Sequence, residues 1–321
     1  MKKLLVQTVK TISLPVIVYG LFLLLCFNRF SNWNCIYTIF LQSLIPTITA
    51  YAVAYGNICG LFDFTIGARV VISALVGGLL SARMGMAGLI LGCFGSALIL
   101  AAITGALNNL LRIPSLVLTM GLTMIYEIVS SKLAGSYGYV QLESVYTYLG
   151  SSPYIIILFL VSFAVFHFIF NNTEFSYHMQ AVGSNELVAK SAGIHVGMVK
   201  FKTFLYGGLF IGMTSLLTIS QSGSVGAQTN LGSVTVVFKP LISILLALVL
   251  QRICNLSVGI FISQLTLTII FIGLIALGMP DTSQNVVLGI FLLLVMILFN
   301  NSEHIRQYIE RRKIKSKGVQ A

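Results

Sequence analysis

The chain has 321 residues, of which 57% are hydrophobic and only 8% are charged. Soluble domains carry about 45–50% apolar and about 25% charged residues, so a soluble enzyme, a nucleic-acid binder and a disordered chain are all poor readings. The net charge of +11 does not rescue a nucleic-acid reading, because the 19 basic residues sit in small clusters between long apolar runs, as membrane orientation signals do.

A membrane helix needs roughly 20 mostly apolar residues. Cutting the uncharged stretches at turn signals predicts about ten transmembrane helices, near 11–27, 36–56, 64–82, 87–111, 115–133, 153–170, 201–220, 233–251, 256–278 and 285–300. The expected fold is an all-α, polytopic membrane protein, with 1–321 forming a single transmembrane domain. The first segment reads as a retained helix rather than a cleaved signal, since no small-residue cleavage site follows it. Trp33, the single tryptophan, lies just after it, where an interfacial anchor belongs. Only Gly56, Asn57 and Gly60 separate the second and third spans, so a broken or re-entrant helix is open there. Runs such as Ile155 to Leu160 are apolar on every side, which excludes the alternating strands of a barrel.

Orientation follows from the loops. With a cytoplasmic N-terminus, ten spans return the C-terminus to the cytoplasm. Arg29, Arg83 and Lys132 then lie outside, Arg69 and Lys239 lie within spans, and the remaining basic residues all face inward. The basic tail 303–321 is expected against the inner leaflet, making lipid a partner.

The longest inner loop, about 171–200, holds a candidate short helix. Ser184 can cap its start and Gly193 its end. Val182, Leu187, Val188 and Ala192 give it an apolar side, and Glu186 with Lys190 forms an i,i+4 pair. Such a helix suits docking into a partner's groove. A plain interfacial connector is the competing reading.

The run Ala181-x-Gly183-x-Asn185-Glu186-x-x-Ala189-x-x-x-Gly193-Ile194-x-Val196-x-x-x-Lys200 resembles the coupling-helix segment of bacterial ABC-importer permeases of the ribose/xylose/galactose type, which are related to branched-chain amino-acid permeases. Tyr206-Gly207-Gly208-Leu209, the segment Gly60 to Gly67 and the stretch Gly105 to Gly121 resemble further parts of that family. The resemblance implies that Gly183, Asn185, Glu186, Ala189, Ala192 and Gly193 engage cytoplasmic ATPase subunits. It also implies an extracytoplasmic solute-binding protein, a second permease subunit of the same or another sequence, and a sugar or similar small polar solute as cargo. ATP would be bound by the partner, and this chain would carry no cofactor, metal or catalytic site of its own. It would reside in the bacterial inner membrane. Two departures stand out. The stretch 240–254 lacks the family's glycines, and Glu127 replaces a position where relatives often carry Arg.

Asp63, Asn108, Glu127 and Lys239 are the candidates for a translocation path. Asp63 is expected to cap the third span. Glu127 is expected to pair with Lys239 or Arg69, because an unpaired charge at span centre costs at least about 2.5–3.5 kcal/mol. His167 reads as packed. His178 and His195 read as loop residues without metal partners, and the five cysteines show no metal or disulfide spacing. The glycines from Gly77 to Gly105 suggest close helix packing. An ion-coupled secondary transporter is the alternative function, weakened by few acids and no visible repeat.

Overall fold

The computed structural model describes residues 2–251 and 254–280, with isolated positions between 286 and 297. Its helices are α1 (Lys2–Leu25), α2 (Phe27–Phe30), α3 (Trp33–Ile58), α4 (Thr65–Leu111), α5 (Ser115–Ala134), α6 (Tyr154–Asn172), α7 (Glu174–Ser184), α8 (Glu186–Ser191), α9 (Val196–Ser222), α10 (Thr235–Leu250) and α11 (Leu256–Ala276). Seven of the described helices are long and apolar enough to cross a membrane, and the apolar part of α1, Thr11–Leu25, is shorter. The first nine expected segments are all helical. The tenth, 285–300, lies largely outside the described residues, as does the tail 303–321.

The third and fourth expected spans are the two arms of α4. A straight helix of its 47 residues would reach about 70 Å, more than twice the hydrocarbon thickness. The chain reverses at Gly85, whose φ of 61° and ψ of −141° suit a residue without Cβ. The arms then pack backbone to backbone. A Cβ on Gly77 would fall 2.3 Å from Cys93 Sγ, one on Gly88 2.3 Å from the Leu80 carbonyl oxygen, and one on Gly92 2.6 Å from Gly77 Cα. Each pair straddles Gly85, which defines an antiparallel hairpin and bears out the expected small-residue packing.

Helix α9 is the central post. Gly208 packs on Ala101 of α4, Gly212 on Phe94 of α4, and Gly207 on the Ala52 carbonyl of α3. Beside it, Tyr51 stacks on Phe166 with ring centroids 4.3 Å apart, and Phe210 closes the same cluster edge-on. This all-round apolar packing fixes α3, α6 and α9 relative to one another.

The bundle has two distinct ends. One carries α7, α8 and the α3–α4 turn and is called the α8 end below. The other carries a two-stranded antiparallel pairing of β1 (Tyr139–Gln141) with β2 (Ser224–Gly226). The α3–α4 connection is an ordinary turn with Gly60 at φ +75°, so of the readings left open there the structure takes a plain turn rather than a broken or re-entrant helix. Non-helical backbone enters the bundle elsewhere. After β2, the chain descends through 227–231 until Leu231 and Ser233 meet Glu127. Glu127 lies seven residues before the end of α5, about 10 Å inside it. Helix α10 therefore starts within the bundle rather than at its surface. Gln228, Thr229 and Asn230 are exposed along this stretch, and only its inner end is buried, where Glu127 accepts from the backbone of Leu231 and Ser233.

Candidate functional site

The α8 end presents the element that the 171–200 loop foreshadowed. Asn185, in extended conformation, accepts hydrogen bonds from Leu187 N at 3.0 Å and Val188 N at 3.1 Å, and so caps α8. Ser184, the expected cap, instead donates to the Ala181 carbonyl within α7. The far end closes as a Schellman turn. Gly193, at φ +85°, bonds the Lys190 carbonyl, and Ile194 N bonds the Ala189 carbonyl at 3.1 Å.

Three contacts fix α8 and the end of α7 that leads into it to the bundle. Ala189 is buried, whereas Gly183 abuts the end of α3, where a Cβ would lie 1.8 Å from the Ile58 carbonyl oxygen. Glu186 accepts from Lys200 of α9 at 2.7 Å, so it does not form the expected pair with Lys190 as its ion-pair partner. At this corner burial pushes the Cys59 thiol up, Thr203 and Lys200 lower it, and Glu186 raises it. The other side of α8 is bare: Leu187 is 77% and Val188 64% exposed, and Ala192 also faces outward. Val182 belongs instead to the buried face of α7.

The candidate path residues separate into three places. Asp63 accepts from Thr65 N at 3.0 Å and from Thr65 Oγ1 at 2.5 Å, which caps the first turn of α4 as expected. Its other oxygen accepts from Arg69 Nη2. Arg69 is 1% exposed, with no partner for Nε or Nη1 among the described residues. It is an interior residue, not one reaching to a membrane face.

Glu127, 3% exposed, makes neither basic contact foreseen for it. Its carboxylate accepts from Leu231 N at 2.8 Å, Ser233 N at 2.9 Å and Ser233 Oγ at 2.6 Å. It thus caps the 3₁₀ turn Gly232–Val234 that leads into α10. Free backbone N–H groups replace a cation, which the charge count could not reveal. Gly67 completes the clasp, since a Cβ there would lie 1.9 Å from the Ser233 carbonyl oxygen. Ser233 and Leu231 were missed from the sequence; the polar run Gln228-Thr229-Asn230-Leu231-Gly232-Ser233 inside an uncharged stretch was the available signal.

Lys239 Nζ sits 3.8 Å over the Phe271 ring, a cation–π contact between α10 and α11. Asn108 lies near the end of α4 and lines a cleft of about 1400 Å³ at the α8 end. His167 is packed, with Nδ1 2.8 Å from Ser257 Oγ. His178 lies within α7 rather than in a loop, and His195 precedes α9. No cluster that could hold a metal occurs among the described residues.

Fold and site together define a polytopic α-helical membrane protein that presents one short, apolar-faced helix at one end of its bundle. Residues 35–296 match the family described as branched-chain amino acid transport system / permease component, and the chain belongs to that family. It is similar to the "Probable ABC transporter permease protein YphD" of Escherichia coli (strain K12), with 30% identity over 145 residues. That match covers 45% of this chain and 43% of the relative's length. No solved structure matches the chain. Family and helices place it as a multi-pass protein of the inner membrane.

Proposed function

We propose that this chain is the permease subunit of an ABC importer, carrying a sugar or similar small polar solute by ATPase-driven alternating access. The observation that carries the reading is α8, a six-residue helix capped at both ends, anchored to α3 and α9, and bare where Leu187 and Val188 project. An adjacent apolar pair on a capped, anchored helix is an anchor suited to a partner's groove. Gly183, Asn185, Glu186, Ala189, Ala192 and Gly193 shape and hold this element, and cytoplasmic ATPase subunits engage its outer side. The α8 end is then cytoplasmic, in line with the inward clustering of basic residues. A solute-binding protein meets the opposite end, and a second permease subunit completes the pathway.

Within the subunit, the path runs beside Asp63, Glu127 and Lys239, with Asn108 at its inner mouth. Arg69 joins them, because its two unpartnered nitrogens lie at bundle depth. ATP is bound and hydrolysed by the partner subunits.

The test is co-purification. Leu187→Asp with Val188→Asp removes the apolar side but leaves the cap and anchors intact. ATPase recovered with the wild type should be lost from this variant at unchanged permease stability. Retention of the ATPase, or uptake that collapses with a proton uncoupler at constant ATP, refutes the importer reading.

A further inference from the structure

The cleft of about 1400 Å³ at the α8 end is bounded by the C-terminal turn of α4, the start of α5, the end of α8 and the start of α9. Arg112, Lys190 and Lys200 line it against one acid, Glu186, which Lys200 already pairs. The cleft therefore keeps two cations, Arg112 and Lys190, without a described carboxylate facing them. Arg112 is held in the left-handed region at φ 53° at the α4 C-cap. Two long helices also open onto it. Pro114 before α5 and His195 before α9 offer no side-chain cap, so first-turn N–H groups are available at both.

Asn108 supplies an independent observation. It lines the same cleft at 7% exposure, and its amide has no hydrogen-bond partner among the described residues. A largely buried side chain whose amide reaches the cleft without a described protein partner, beside two cations and two helix starts, is an arrangement that a multi-oxygen anion satisfies.

We propose that this cleft is a binding site for a phosphate-bearing anion, held by Arg112, Lys190 and Asn108. The rim favours a phospholipid headgroup over free phosphate. Leu110, Leu111, Ile113, Leu116 and Val117 are all exposed on either side of Arg112 and Pro114, which line the cleft, giving acyl chains apolar surface next to the basic residues. The site borders α8 but does not require an ATPase, so it stands or falls separately from the docking reading.

The experiment uses the full-length protein in a neutral detergent, with any subunits that accompany it. Phosphatidylglycerol, phosphatidylcholine and inorganic phosphate are the probes. Amine acylation, read by mass spectrometry, should slow at Lys190 with phosphatidylglycerol and stay unchanged with phosphatidylcholine; the exposed Lys132 at the opposite end is the internal reference. Arg112→Gln with Lys190→Gln should weaken phosphatidylglycerol binding in native mass spectra about tenfold or more. Protection by inorganic phosphate alone would support the anion site and assign it to a soluble ligand. Equal protection by the zwitterionic lipid, or none by either anion, overturns the proposal. The wild-type protection arm holds even if a variant fails to fold.

Discussion

Replacing Glu127 by Leu removes one side chain but strands three donors. Leu231 N, Ser233 N and Ser233 Oγ all point at that carboxylate, which is 3% exposed, and Ser233 is fully buried. Each hydrogen bond to a charged group contributes about 1.5–3 kcal/mol, and each stranded buried donor costs about 1–3 kcal/mol. The three share one acceptor, so the costs do not simply add; a total loss of about 3–5 kcal/mol follows. Glu127→Gln keeps one acceptor oxygen and should lose about half of that. The assay is thermal unfolding in detergent, paired with thiol labelling of a reporter at the neighbouring buried position, Val234→Cys, in each background. The expected result is a lower midpoint together with faster labelling, because the loop's buried inner end leaves the bundle before the bundle melts. If Glu127→Leu melts like the wild type and the reporter stays protected, the carboxylate does not hold the loop and the clasp is refuted.

Gly67→Ala should disturb the same clasp from the other side, because its Cβ would collide with the Ser233 carbonyl; a loss beyond about 1–3 kcal/mol is expected by thermal unfolding. Asn185→Ala removes the α8 cap and should cost about 1 kcal/mol of local helix stability, read as faster amide exchange at Leu187 and Val188 with little change in the global midpoint. Gly193→Ala forces a Cβ residue to φ +85° and should loosen the same helix by about 1–2 kcal/mol, measured by the same exchange. Burial raises the Cys59 thiol, so the thiolate is scarcer than in a free cysteine at any given pH. Maleimide labelling of native protein should be slower than of unfolded protein up to at least pH 8, and rapid native labelling would contradict the burial.

The spans were legible because twenty apolar residues in a row leave few alternatives; the boundaries of α5, α6 and α11 fall close to their expected positions, and α9 begins earlier than expected, at Val196. The hairpin in α4 was half legible. Its glycines signalled close packing, but Gly85 looked like the others, and only its positive φ separates a hinge from a contact. The short helix of the 171–200 loop was legible to within a residue, since Ser184 and Asn185 are both good caps and propensity does not choose between neighbours. Glu186 was assigned the local partner that helix spacing suggests; the fold offers Lys200, fourteen positions on. Glu127 was beyond reach for a deeper reason. A charge inventory counts side chains, and its partners are backbone donors more than a hundred residues downstream.

The two halves of the site meet through α9 and α4. Gly183 presses on the end of α3 and Glu186 holds Lys200 of α9, so a force on α8 reaches both helices without passing through a flexible loop. Helix α9 packs on the second arm of α4 through Gly208 and Gly212 and meets the first arm where Ile219 approaches Gly78, and that first arm carries Arg69 and Gly67, the latter against Ser233. Side chains cannot absorb such motion where glycine brings backbone onto backbone, because there is no compliant layer between the helices. Under the proposed function, a displacement of α8 would pass to the clasp at Glu127, and α10, whose first turn Glu127 holds, is the helix it would move. Inserting bulk at Gly208 should break this relay while leaving α8 and the clasp each intact. With Gly208→Val, ATPase binding should persist and the Val234→Cys reporter should stop responding to nucleotide; a reporter that still responds would place the relay elsewhere.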